Sequence, residues 1–128
     1  MRHRAVAQDQ RGEVLADKVA SAWKEVATRI LSAAVKESRR SGVKLWLRIP
    51  PLGAFLYHDF FTAIVRKGEV VQLACRGLRD AIRDNFDTLR LASHLDAIEL
   101  TDFSEEGFYT FEEEFVKECE DGGLVIAQ

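Results

Sequence analysis

The chain has 128 residues, 47% of them hydrophobic and 30% charged, which is the size of one domain able to bury a core without disulfide or metal staples. Its net charge of −3 conceals a gradient: Lys and Arg outnumber Asp and Glu 11 to 5 from Met1 to Arg48, stand at 6 to 5 from Ile49 to Leu95, and fall to 1 against 11 from Asp96 to Gln128. Such asymmetry points either to an interaction surface with head-to-tail association or to a solvated acidic tail. Cys75 and Cys119 form no CxxC pair and have no His at ligand spacing, so neither a zinc nor a thiol-redox motif is supported and a reduced, intracellular protein is the default expectation. No signal peptide is expected in polar Met1–Gly12, and no apolar run reaches the ~18 residues of a membrane span.

Residues 1–12 read as a flexible segment or short helix. From Glu13 to Ser41, Val19, Trp23, Val26, Ala27, Ile30, Leu31, Ala34 and Val35 recur at three-and-four spacing, which predicts one long helix, or one with an internal break. Arg39 and Arg40 followed by Gly42 mark its end. The period then becomes two, with Val43, Leu45, Leu47 and Ile49 on one side of a strand and Lys44, Trp46 and Arg48 on the other. Pro50 ends the strand, and Pro51-Leu52-Gly53 predicts a reversal. Ala54–Val65 reads as strand or helix. Its aromatic and β-branched content favours a strand, with Arg66-Lys67-Gly68-Glu69 turning a hairpin into Val70–Ala74.

Gly77–Phe86 follows as a short helix, and Leu89–Leu100 as another through Leu91, Leu95 and Ile98, with Asp87 as a candidate cap. A third is expected to open at Ser104 or Thr110 and run through Phe111, Phe115 and Cys119 to Gly122-Gly123, before a strand at Leu124–Ala127. A shift of 81 positions aligns Val35-Lys36-Glu37 with Val116-Lys117-Glu118 and Gly42 with Gly123, so the helix, glycine, strand order repeats.

Trp23, Val26, Ile30, Gly42, Val43, Ile49, Pro50, Leu52, Gly53 and Phe55 together make a pattern that resembles the HU/IHF-like domain. The likeness is greatest to the tandem eukaryotic version in coiled-coil-domain-containing ciliary and centrosomal proteins. Leu45-Trp46-Leu47-Arg48 lengthens the strand relative to that family, and Pro51 stands where Gly is usual. The resemblance covers about 13–86. It implies an α+β fold with a long helix on a small antiparallel sheet, a hairpin and a short helix, and then a helical, acidic half-repeat over 87–128. Gly42, Pro50, Pro51, Leu52, Gly53 and Phe55 are then structural turn residues. By the same resemblance the chain is a non-enzymatic adaptor in a cytoskeletal assembly such as a cilium, a centrosome or a microtubule. A protein partner or self-association is expected, with no cofactor, membrane or small-molecule substrate.

Architectural DNA binding is the alternative, placing the chain in a nucleus or nucleoid. Its contacts would come from Lys44, Arg48, Arg66, Lys67, Arg76 and Arg79, but the interval from Phe55 to Val70 is too short for an HU-type arm and carries no proline for wedging between bases. Trp46, between Lys44 and Arg48, is a candidate anchor for a protein partner. No catalytic constellation is expected. His58 and Asp59 are neighbours that point to opposite faces of a strand, and His3 and His94 have no companion motif. Glu112-Glu113-Glu114 reads as a solvated helix face and Cys119 as packed.

Overall fold

A computed structural model describes residues 2–50, 67–101 and 111–128, with side chains described for 17–50, 72–101 and 111–128. In chain order the elements are helix α1 (Arg2–Ser41), strand β1 (Leu45–Ile49), helix α2 (Lys67–Asn85), a single turn α3 (Leu91–His94), strand β2 (Leu95–Leu100), helix α4 (Glu113–Asp121) and strand β3 (Val125–Ala127). The fold is α+β, a long helix with a small three-stranded sheet.

Helix α1 continues without the break that its length suggested, and it starts at Arg2 rather than near Glu13. The face it buries is narrower than its apolar stripe: Val19, Trp23, Ala27, Leu31, Ala34, Val35 and Ser38 are buried, whereas Val26 remains 43% exposed. It ends as its sequence predicts. Gly42 takes φ +74° and donates its N–H to the Ser38 carbonyl at 2.8 Å, the single-bond cap that glycine makes without Cβ strain.

The sheet has the order β1-β2-β3, with both pairings parallel, so the expected antiparallel hairpin is corrected. Val70–Ala74, expected as its second strand, are helical and belong to α2. The physical reason lies in the burial period. Ala74, Cys75, Leu78, Ala81 and Ile82 are all at most 2% exposed at three-and-four spacing, and packing that face outweighs the β-branched composition of Val70-Val71. Parallel neighbours also need a long crossover, which the chain between β1 and β2 supplies. The Gly77–Phe86 helix is present as the second half of α2. Pro51, Leu52, Gly53, Phe55 and the whole of Ala54–Val65 lie outside the described residues.

Leu89–Leu100 is corrected as well: only Leu91–His94 is helical, and Leu95–Leu100 is the central strand. The 87–128 segment thus supplies two of the three strands, the expected one at Val125–Ala127 and an unexpected one at Leu95–Leu100. Its helical spacing has a local cause. Leu45 pairs with Leu95 but Trp46 pairs with Ala97, so Asp96 is an extra residue in β2 and puts Leu95 and Ile98 on one face although they are three apart. Helix α4 carries Phe115 and Cys119 inward and its acidic residues outward. Ser104 and Thr110 lie outside the described residues, and Glu112 stands at the N-cap with no side-chain cap bond. Gly123, at φ +97°, ends α4 in a two-bond cap: its N–H reaches the Glu120 carbonyl at 2.9 Å and that of Leu124 reaches Cys119 at 2.8 Å. The helix, positive-φ glycine, strand order therefore occurs twice, with β1 and β3 at opposite edges of the sheet.

Helices α1 and α2 lie side by side and run the same way, since Asp17 meets Arg76, Lys24 meets Asp84 and Thr28 meets Asn85 in rising order. All four helices contribute to one core with Ile49, Leu95, Ile98, Leu100 and Ile126 of the sheet. Among the described residues that core lies on the side of the sheet that carries Leu45, Leu47, Ile49, Leu95, Ile98 and Ile126.

Candidate interaction surface

The register determines what the other side of the sheet presents. Trp46, Ala97 and Val125 stand abreast across the three strands, and Arg48, Glu99 and Ala127 form the next row. Trp46 is 58% exposed and Val125 44%, with Ala97 buried between them. Val43, just before β1, is 58% exposed, so it does not share the buried side of Leu45, Leu47 and Ile49 as the alternation predicted. The reason is local: Val43 still belongs to the turn that follows α1, where its carbonyl accepts a 2.8 Å hydrogen bond from Ser38 Oγ.

Charges frame this apolar row. Arg48 Nε lies 2.8 Å from Glu99 Oε2, and Lys44 Nζ lies 3.9 Å from Asp96 Oδ1. The Arg48–Glu99 pair is lopsided toward solvent. The Arg48 side chain is 73% exposed and that of Glu99 only 19%, so the outward charge at this pair is positive, whereas at Lys44–Asp96 the carboxylate is the more exposed partner. Ion pairs at such exposure contribute little to stability but set which partners are attracted and which repelled.

The predicted basic residues do not converge. Lys44, Trp46 and Arg48 share the β1 edge, whereas Arg76 lies on α2 and bonds Asp17 at 3.1 Å. Arg79, also on α2, is largely buried between Asp80 at 3.2 Å and Glu112 at 3.5 Å. Lys67 opens α2, and Arg66 lies outside the described residues. Glu112 is thus more than part of a solvated acidic run: it reaches Arg79 from a backbone at φ 55°, ψ 135°, a conformation unusual for a residue with a Cβ.

One pairing escaped the sequence reading because its members are far apart in the chain. Ser38 Oγ lies 3.2 Å from His94 Nδ1. The hydroxyl has a single proton and gives it to the Val43 carbonyl, so Nδ1–H is the donor to Ser38. A nucleophilic serine needs the reverse, a ring nitrogen that accepts its proton. Ser38 is also 4% exposed, out of a substrate's reach. The pair clamps the end of α1 to α3.

The two thiols are equally withdrawn. Burial pushes Cys75 up to about 12, and burial followed by the neighbouring Glu118 carboxylate pushes Cys119 up to about 11, far from the thiolate range of reactive cysteines. Cys119 floors a half-open cavity of about 230 Å³ with Phe86 and Phe115, beside Arg83 and Glu118. The Arg83 guanidinium is already seated 5.1 Å from the Phe115 ring centre. His58 and Asp59 lie outside the described residues. Among the described residues no three His, Cys, Asp or Glu side chains are grouped to hold a metal ion, and no helix is long and apolar enough to cross a membrane. Compared with known protein families, curated proteins and solved structures, the chain has no match.

Proposed function

We propose that this chain is a non-enzymatic, protein-binding module that works through the β1 edge and the outer side of its sheet. The observation that carries the reading is Trp46, 58% exposed at the head of an apolar row on a parallel sheet. Parallel sheets are ordinarily covered on both faces, so an accessible aromatic on one of them is a place for something to dock. Tryptophan is also the side chain that most often anchors an interface. The serine–histidine pair has the wrong proton order for catalysis, and both thiols are buried, which supports a binding role over chemistry.

The finer expectations, an HU-like domain and a ciliary, centrosomal or microtubule setting, rest on the sequence motif alone, and the parallel sheet adds no support to them. The DNA alternative needs convergent cations, whereas among the described residues Lys44 and Arg48 lie at β1 and Arg76 and Arg79 lie on α2, the latter largely buried. The test is selection from a displayed random-peptide library against the wild-type protein, with rescreening against Trp46→Ser. Binders are expected to emerge and to be lost on the variant. Submicromolar binding of duplex DNA at physiological salt, falling steeply as salt rises, would replace this reading with the nucleic-acid one.

A further inference from the structure

We infer that the outer edge of β1 receives an extended segment of another protein, aliphatic in its middle and acidic at both ends. This rests on the protein-binding reading above and names the partner's chemistry. β1 is an end strand of the sheet, so its outer row of backbone N–H and C=O groups has no strand partner among the described residues. Edge strands of this kind accept a further strand through main-chain hydrogen bonds, with alternate side chains setting the specificity.

The side chains of β1 specify that partner. Leu45 and Leu47 lie half-buried on the core side, where an added strand would extend the apolar layer with aliphatic residues. Lys44, Trp46 and Arg48 lie on the outer side, in the order cation, aromatic, cation. Of the two carboxylates paired with these cations, Glu99 is shielded at 19% exposure while the Arg48 guanidinium stays 73% exposed, and Asp96 is itself 60% exposed beside Lys44. An acidic residue opposite position 48 therefore complements the edge, and one opposite position 44 would share Lys44 with Asp96.

Proteins commonly blunt edge strands with Lys, Pro or a bulge, and β1 has Lys44 before it and Pro50 after it. Between them, Leu45–Ile49 has no strand partner on its outer side among the described residues and carries an exposed Trp46. A second copy fits less well. Two β1 edges related by a two-fold axis would set Lys44 and Arg48 against cations, and the β3 edge offers only Val125–Ala127. A helix placed there would leave the edge amides unpaired.

The experiment is fluorescence anisotropy with the full chain and a labelled Glu-Val-Thr-Val-Glu peptide, whose palindromic sequence reads alike in parallel and antiparallel pairing. Two controls accompany it, Lys-Val-Thr-Val-Lys and the acidic peptide N-methylated along its backbone. Saturable binding is expected for the acidic peptide, with both controls at least about tenfold weaker, as expected if main-chain and charge contacts carry the affinity. Arg48→Gln should weaken the acidic peptide and Arg48→Glu should favour the lysine peptide, with circular dichroism confirming that both variants fold. Equal binding of the N-methylated peptide, or of both charged peptides, overturns the proposal and leaves a module that docks partners on the sheet face. If no peptide binds and ultracentrifugation finds a dimer that Trp46→Ser dissolves, the occupant is a second copy and the proposal fails while the binding reading stands. If no peptide binds and the chain stays monomeric with or without Trp46, both fail.

Discussion

At the scale of single residues, Cys75 shows how burial alone sets chemistry. Its thiol is fully buried on α2 and held near 12 against an ordinary value near 9. The folded state thus keeps a proton that the unfolded state releases above pH 9, and stability falls with rising pH between the two values. Below pH 9 both states are protonated and the contribution is constant. Urea unfolding between pH 8 and pH 10.5 is expected to show a loss approaching about 1.4 kcal/mol per pH unit above 9 from this group. Cys75→Ala, whatever its baseline stability, should show a shallower alkaline slope. An unchanged slope would mean that this thiol is not protected by the fold.

Helices and strands raise a different question: which spacing decides an element. The α1–α2 contact is decided at Gly77, where an added Cβ would stand 2.6 Å from the Ala20 carbonyl oxygen and 2.6 Å from Trp23 Cβ. Alanine at a helix interior ordinarily gains about 1 kcal/mol over glycine. Here the backbone of α1 is in the way, so Gly77→Ala is expected to destabilise by about 1 to 3 kcal/mol, the usual result of overpacking, and chemical denaturation would measure it. A stabilised variant would mean that the two helices are not so close.

What the sequence made legible follows the same division. The end of α1 at Gly42, β1, the end of α4 at Gly123 and β3 were readable because each rests on a local signal, an αL glycine or a strict alternation. Val70–Ala74 is not legible locally, because its β-branched residues favour a strand while the burial period that continues through Ile82 decides for a helix. Leu95–Leu100 misled because one extra residue, Asp96, gives a strand the spacing of a helix. Strand direction was not legible at all, since no local feature of β1 states which strand it will pair with. Of the candidate surface, Trp46 and its flanking cations were legible, while the ion pairs to β2 and the Ser38–His94 clamp depend on contacts distant in sequence.

For the whole molecule, the described core and the proposed docking surface lie on opposite sides of one sheet. Leu31, Leu78, Ile82, Leu95, Ile98 and Phe115 join the helices to one side, and Trp46 adds nothing to that cluster. Trp46→Ser is therefore expected to shift unfolding stability by no more than about 0.5 kcal/mol, the range of ordinary surface substitutions, while removing partner binding. Thermal unfolding and peptide binding measured on the same variant would check the separation. A large loss of stability would show that Trp46 is part of the fold.

The same division gives the chain two native optical probes. Trp23 lies 8% exposed on α1 beside Gly77, and Trp46 lies 58% exposed on β1. Their emission should resolve into a blue component shielded from a dissolved quencher and a red component open to it. The first reports the helix pair and the second the strand edge, so folding and the proposed docking can be followed separately in one cuvette with no dye attached to the protein.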